Sequence, residues 1–257
     1  MSAPGDRARR CAIAVMAKAP RAGRVKTRLC PPLSPDEATA MSAAFLRDIT
    51  ENIRAAAREA PIDGVIAYAP AGTADLFDGL LAEGTSLLLA DGETALGRAV
   101  RDDVRGFGRS LLHAIDGLFA MGYAAAIVLN SDSPTLPTAM LCQAAIALLD
   151  GGTERCVLGP AEDGGYYLLG MRRAHPELFA DIAWSTGTVA ETTRTRAREI
   201  NLPMVELIPW YDVDDRAALL RLLHEQDGAT SHQPYEAPAT AACMTRLNLR
   251  ERLSPAP

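Results

Sequence analysis

Four apolar runs, each the length of a single strand, recur at intervals that leave room for a helix between them: Cys11–Met16, Val65–Tyr68, Ser86–Ala90 and Ala124–Asn130. Runs that are apolar at consecutive positions belong to strands covered on both faces, the pattern of a parallel sheet. The stretches between them read as helices. Ser34-Pro35-Asp36-Glu37 offers an N-cap serine, a proline at the first helical position and a glutamate that closes a capping box. The helix it starts carries Ala38, Met41, Phe45, Ile49 and Ile53. Thr73–Leu81 and Gly108–Met121 read as two more, the second stopped by Gly122, and another follows Pro137 through Leu141, Ala145 and Leu148 to Gly151-Gly152. This alternation predicts an α/β chain built from right-handed βαβ units, with a mostly parallel central sheet and helices on both faces.

After Gly152 the rhythm changes. Cys156–Gly159 and Tyr166–Met171 read as strands joined through Glu162-Asp163-Gly164-Gly165, too close for a crossover helix, so a small antiparallel excursion is expected. Gly187–Ile200 and Asp214–Glu225 read as helices. From Gln226 onward small and polar residues dominate, which predicts a weakly ordered tail with a short helix near Thr245–Arg252. The expected organisation is one domain over residues 11–225 and a tail over 226–257, within the reach of a single core for 257 residues.

A net charge of -6 argues against a general nucleic-acid binder, whose phosphate-tracking surface would be basic. Five scattered cysteines, none in a C-x-x-C pair, fit single thiols in a reducing compartment better than a disulfide framework or a zinc site. The apolar run after Arg7, Arg9 and Arg10 is cut at Lys18, too short for an export signal, and nothing approaches a membrane span. The expectation is a cytoplasmic chain with no membrane and no nucleic-acid partner.

In an open α/β sheet, ligands bind beyond the carboxyl ends of the strands, so the residues that follow each strand matter most. The first strand leads into Lys18-Ala19-Pro20-Arg21-Ala22-Gly23-Arg24-Val25-Lys26-Thr27-Arg28-Leu29, five cations within eleven residues. Pro20 and Gly23 shape the loop, and its lysines and arginines would clamp phosphate oxygens. It is not a Walker loop, and Gly106-Phe107-Gly108-Arg109-Ser110-Leu111 lacks the third glycine and the preceding strand of a dinucleotide fingerprint. The strand at Ala124–Leu129 leads into Asn130-Ser131-Asp132-Ser133-Pro134-Thr135-Leu136-Pro137, where Asp132 is placed either to hold Mg²⁺ or Mn²⁺ or to cap a turn. Further acids follow at Asp163 and in Asp212-Val213-Asp214-Asp215. Asp212 and Asp214 would share a face of an extended segment, or Asp214 would cap the next helix.

The blocks MAKAPRAGRVKTRL, SDSPTLP, GPAEDGGYYLLG, IAWSTGTV and DVDD, in that order over about Ala12–Leu223, resemble a bacterial glycosyltransferase-like family with the nucleotide-diphospho-sugar transferase (GT-A type) fold. Lys26-Thr27-Arg28-Leu29 with Asp132 and Asp212 or Asp214 is also similar to phospholactate guanylyltransferases, and more loosely to molybdenum-cofactor guanylyltransferases. The resemblance implies a donor nucleotide against the first strand, with Ala17, Lys18, Pro20, Gly23, Lys26, Thr27, Arg28 and Ser131 around it. It implies a divalent cation at Asp132 with Asp212 or Asp214 as the second acidic ligand. Ser131-Asp132-Ser133 departs from the Asp-x-Asp triplet frequent in glycosyltransferases of this fold, which shifts metal-binding duty towards Asp163 or Asp214. Gly164, Gly165, Tyr166, Trp184, Ser185 and Thr186 would line an acceptor pocket, the aromatics stacking on a sugar or packing in the sheet core.

Two reactions then compete. One is glycosyl transfer from a nucleotide sugar to a small-molecule acceptor, with Asp163 activating or orienting the acceptor. The other is nucleotidyl transfer from a nucleoside triphosphate to a small phosphorylated or acidic acceptor, with Lys26 and Arg28 taking the developing charge as pyrophosphate leaves. The five blocks favour the first; the lone Asp132 and the Lys26-to-Leu29 segment favour the second. A non-catalytic nucleotide-binding protein is the third expectation, and it requires the acidic positions to be structural.

Overall fold

The computed structural model describes residues 4–92, 101–225 and 233–253. Among the described residues, seven strands form one sheet: β1 (Cys11–Lys18), β2 (Ile62–Ala69), β3 (Ser86–Leu89), β4 (Ala125–Leu129), β5 (Cys156–Pro160), β6 (Tyr166–Met171) and β7 (Met204–Glu206). Their order is β3-β2-β1-β4-β6-β5-β7. The helices are α1 (Pro4–Arg7), α2 (Pro35–Ala56), α3 (Phe107–Ala120), α4 (Thr138–Leu149), α5 (Val189–Glu199), α6 (Arg216–Glu225), α7 (Pro238–Arg246) and α8 (Leu249–Leu253).

β1 lies in the interior of the sheet, paired in parallel with β2 on one side and β4 on the other. Its side chains divide between two cores. Ile13 and Val15 pack with residues of α2, α4, α6, α7 and α8, whereas Ala12 and Ala14 pack with residues of α3 and α5. Burial on both faces is the reason its sequence is continuously apolar. The chain leaves β1 towards β2 and β3, then returns on the other side of β1 to form β4. The strand order therefore reverses between β1 and β4, and the loops after these two strands flank the resulting crevice.

α2 begins as its sequence dictates. Ser34 Oγ accepts from Glu37 N at 3.2 Å, and Ser34 N donates to Glu37 Oε2 at 2.8 Å. Thr73–Leu81 departs from expectation, with only a short 3-10 turn at Ala74–Phe77. Phe77 is its single buried anchor, set edge-on to Tyr68, and the positive-φ Gly79 interrupts the chain before a second turn forms.

The antiparallel excursion is more deeply embedded than the sequence implied. β6 lies between β4 and β5 and runs antiparallel to both, so the return strand completes the central sheet. β7, which sequence reasoning did not find, adds a parallel edge beside β5.

Residues 226–232 and 254–257 lie outside the described residues, but 233–253 contain α7 and α8, whose Cys243, Met244, Leu249 and Leu253 enter the first core. The anchor is Asp48 of α2, 1% exposed, whose Oδ1 and Oδ2 accept from Ala239 N at 2.9 Å and Thr240 N at 2.6 Å. Burial pushes the Asp48 carboxyl above its usual pKa, partly offset by these bonds to the first turn of α7. Replacing Asp48 with alanine orphans both N–H groups and is expected to cost about 2–3 kcal/mol, read as a lower urea midpoint. An unchanged midpoint would detach α7 from the stability of the domain.

Among the described residues, no helix is long and apolar enough to cross a membrane.

Candidate functional site

The two loops flanking the crevice meet at Lys26. The β1 loop closes in a 3-10 turn at Thr27–Leu29, and Lys26 caps it with φ 48 and ψ 35, in the left-handed region. A non-glycine residue there is strained. Its ammonium is ion-paired with Asp132 Oδ1 at 2.6 Å and Asp214 Oδ1 at 3.1 Å, and donates to Val213 O at 2.8 Å. The Phe45 ring of α2 lies 5.1 Å away. The Lys26 side chain is 6% exposed, against 32% for Asp132 and 41% for Asp214. Burial opposes the charge on Lys26, but the two carboxylates outweigh it and hold the ammonium above the usual lysine pKa.

The acidic side is pinned from several directions. Val213 N donates to Asp132 O at 2.8 Å, joining the β4 loop to the segment that carries Asp212 and Asp214. Asn130 Nδ2 and Ser133 Oγ lie 2.6 and 2.8 Å from Asp212 Oδ1. Asn52 of α2 donates to Leu136 O at 2.7 Å and accepts from Thr138 Oγ1 at 2.6 Å, fixing the far end of the β4 loop. Asp212 is raised to about 7: burial is the main cause, the Ser133 hydrogen bond opposes it, and Asp132, Asp163 and Asp214 add to it. Asp214 does not cap α6. That role falls to Asp215, whose Oδ1 accepts from Ala218 N at 2.9 Å.

Two clefts adjoin this cluster. The first, of 350 Å³, is lined by Ala17, Lys18, Lys26, Thr27, Arg28, Ser131, Asp132 and Asp214 among the residues expected from sequence. Pro20 and Gly23 are not in its lining. The second, of 360 Å³, is lined by Glu162, Asp163, Asp212, Asp214, Asp215, Arg28 and Arg221, together with Tyr211 and α6. Arg28 and Asp214 belong to both, so the clefts are neighbours. The cations and acids are thus brought together, Lys26 and Asp132 being in direct contact.

The expected acceptor residues are placed elsewhere. Gly164, Gly165, Tyr166, Trp184, Ser185 and Thr186 line neither cleft. Tyr166 and Trp184 pack against the second core, with their rings 6.4 Å apart. Gly165 N donates to Asp163 Oδ1, a turn contact, and Thr186 Oγ1 donates to Ala183 O. The aromatic at the first cleft is instead Phe107, 49% exposed and edge-on to Trp184 at 5.6 Å. Sequence reasoning missed Phe107 because it opens a helix instead of following a strand. It also missed Arg221, whose guanidinium pairs with Glu162 and lies 3.9 Å from the Tyr211 ring centroid.

Among solved structures, the chain is similar to a protein from Desulfovibrio desulfuricans G20 described as a nucleotide-diphospho-sugar transferase, at 24% identity and a TM-score of 0.73 over 95% of this chain and 96% of that one. It is similar to a CMP:2-keto-3-deoxy-manno-octonic acid synthetase complexed with CTP, at 13% identity and a TM-score of 0.50 over 85% of this chain and 99% of that one. These likenesses establish the fold, the α/β architecture of the nucleotide-diphospho-sugar transferases. No curated protein matches the sequence. Residues 52–186, more than half of the chain, match the profile of a bacterial family described as uncharacterized protein conserved in bacteria (DUF2064), and the chain belongs to that family.

Proposed function

We propose that the chain is a glycosyltransferase-like enzyme that binds a nucleotide-sugar donor in the first cleft and passes its sugar to a hydroxyl of a small acceptor in the second. The observation that carries this reading is the Lys26–Asp132–Asp214 cluster beside two clefts that share Arg28 and Asp214. Cations from the β1 loop suit the donor diphosphate, and a shared wall lets a reacting group pass from one cleft to the other.

The acceptor side supports glycosyl transfer. Five carboxylates line the second cleft against two guanidiniums, and Glu162 is already neutralised by Arg221. Such a lining repels a phosphorylated or carboxylate acceptor and suits a neutral, hydroxyl-rich one. The acceptor oxygen would bond to the anomeric carbon as the bond from that carbon to the diphosphate oxygen breaks. The diphosphate leaves with the electron pair, and the acceptor proton passes to a carboxylate such as Asp163. Arg28 and Lys18 stabilise the charge that grows on the leaving group.

The acidic residues fit a divalent cation. Asp132 and Asp214 already converge on one positive centre, and repulsion among Asp132, Asp163, Asp212 and Asp214 is what a bound cation would relieve. Among the described residues, no group of three or more His, Cys, Asp or Glu side chains is placed to hold a metal ion by itself. Mg²⁺ or Mn²⁺ would take much of its coordination from the donor phosphate and from water, beside Asp132 and Asp214. When bound, such an ion supplies charge neutralisation at the leaving diphosphate.

Nucleotidyl transfer is the second reading, favoured by the single carboxylate in Ser131-Asp132-Ser133 and by Lys26 and Arg28 on one short turn. Incubation with panels of nucleotide sugars and nucleoside triphosphates in Mg²⁺ or Mn²⁺ tests both. Free nucleoside diphosphate with a new glycoside is the expected product, whereas pyrophosphate would transfer the assignment to the second reading. Absence of thermal stabilisation by any nucleotide would reject both and leave a non-catalytic protein. We place the activity in the cytoplasm, in keeping with Cys11, Cys30, Cys142, Cys156 and Cys243 as free thiols.

A further inference from the structure

An ammonium carries three N–H donors, and Lys26 has three oxygens within 3.1 Å: Asp132 Oδ1, Val213 O and Asp214 Oδ1. The Phe45 ring occupies a further side of the group. Its bonding capacity is therefore spent on the protein, and a phosphate oxygen can bind it only if one of these contacts breaks. Two of the three partners are the carboxylates assigned above to the divalent ion. An ammonium and a dication cannot both sit against the same oxygens without close like-charge repulsion.

Resting on the donor and metal reading above, we propose that Lys26 makes divalent-cation binding conditional on the donor. The ammonium and the dication compete for Asp132 and Asp214, and donor phosphates relieve the competition by drawing the ammonium towards themselves. Metal and donor then bind with positive coupling, and Lys26 is the positioning residue that carries it. The residue type fits this duty. Lys18 and Lys26 are the only two lysines in the sequence, against 24 arginines. Lysine is a compact charge on a flexible stem, and it can leave one oxygen for another, where the planar fork of arginine would lock onto a carboxylate. The left-handed backbone at Lys26 also points to a position kept for its side chain, since residues rarely hold that conformation without a compensating contact.

Mn²⁺ binding without any phosphate, followed by the EPR signal of the free ion, tests the proposal in the wild type, K26M, D132N and the K26M/D132N double variant, with folding checked by circular dichroism. K26M is expected to bind Mn²⁺ on the order of tenfold more tightly than the wild type, and D132N is expected to abolish the gain. Equal affinity in wild type and K26M, lost in D132N, would overturn the competition while leaving the metal reading intact. If no Mn²⁺ binding depends on Asp132 in either background, the metal reading fails and takes the proposal with it.

Should K26M not fold, wild-type protein labelled with ¹³C-lysine gives two side-chain signals. The Lys26 signal should stay in place with Mg²⁺ alone and move with Mg²⁺ plus inorganic pyrophosphate. Full movement with Mg²⁺ alone, or none with both, would overturn it.

Discussion

Replacing Asp132 with asparagine is expected to lower kcat/KM by about 10³-fold while the fold stays intact. The two halves of that expectation have separate causes. The backbone carbonyl of Asp132, not its side chain, ties the β4 loop to Val213. The side chain is 32% exposed, and Lys26 keeps Asp214 and Val213 O as partners. Lys26 is buried, so the lost charge has a cost, but an asparagine amide oxygen can still accept from the ammonium and Asp214 keeps it paired, which limits the loss to about 1–3 kcal/mol. Under the proposed reaction the same change removes the one carboxylate that stands at the carboxyl end of β4 facing the first cleft, where the donor diphosphate would lie. Deleting a single preorganised electrostatic group at a reacting centre typically costs about 10²–10³-fold in turnover, and loss of the metal ligand places the effect at the upper end. Steady-state kinetics alongside a thermal melt would measure both halves. Turnover at the wild-type level would remove Asp132 from the chemistry.

The largest expected loss of stability comes from Gly164→Ala. Gly164 has φ +89, and a Cβ built there would lie 2.1 Å from Gly187 O and 2.6 Å from Gly187 C. Both obstacles are backbone, so no rotamer change relieves them. Gly164 O also accepts from Ala190 N at 2.9 Å, which seats the first turn of α5 on the turn between β5 and β6. An alanine must therefore strain its own φ and push α5 off the sheet. Left-handed strain of about 1–2 kcal/mol and overpacking of about 1–3 kcal/mol together predict a loss near 3 kcal/mol. For a chain of this size that lowers Tm by about 6–12 °C. Scanning calorimetry would measure it, and a melt within a degree of wild type would contradict the close approach. The glycine is needed for this packing, whatever ligand its turn faces.

These two positions show which kinds of information a sequence carries locally. β1, β4 and their loops were legible because burial on both faces leaves consecutive apolar residues, and because ligand-facing loops follow such strands. Lys26 and Asp132 follow from that rule, whereas Asp214 was marked only by its alternation with Asp212 in an acidic segment. The fate of Tyr166 and Trp184 was not legible, since an aromatic ring beside a glycine-rich turn serves a cleft and a core equally well. Only the sheet's second helical layer decides, and it covers them. β6 was readable as a strand but not as the strand between β4 and β5, because pairing order depends on residues far away in the chain. Near the C-terminus a short helix around Thr245–Arg252 was legible and α8 lies there, but α7 was hidden by an alanine- and threonine-rich composition. Their order comes from Asp48, nearly two hundred residues earlier, and from a few apolar side chains that find a prepared face.

The bond from Val213 N to the carbonyl of Asp132 has a wider consequence. It sets the spacing of the two cation-holding carboxylates through main chain alone, independent of which side chains surround them. The outer wall of the second cleft comes from Ala217, Ala218 and Arg221 on α6, and these take no part in that bond. On the proposed reading, substitutions on this wall would retune which molecule is received without loosening the hold on the donor. The domain works as a fixed chuck with an interchangeable jaw, and redesign of its selectivity should begin on α6.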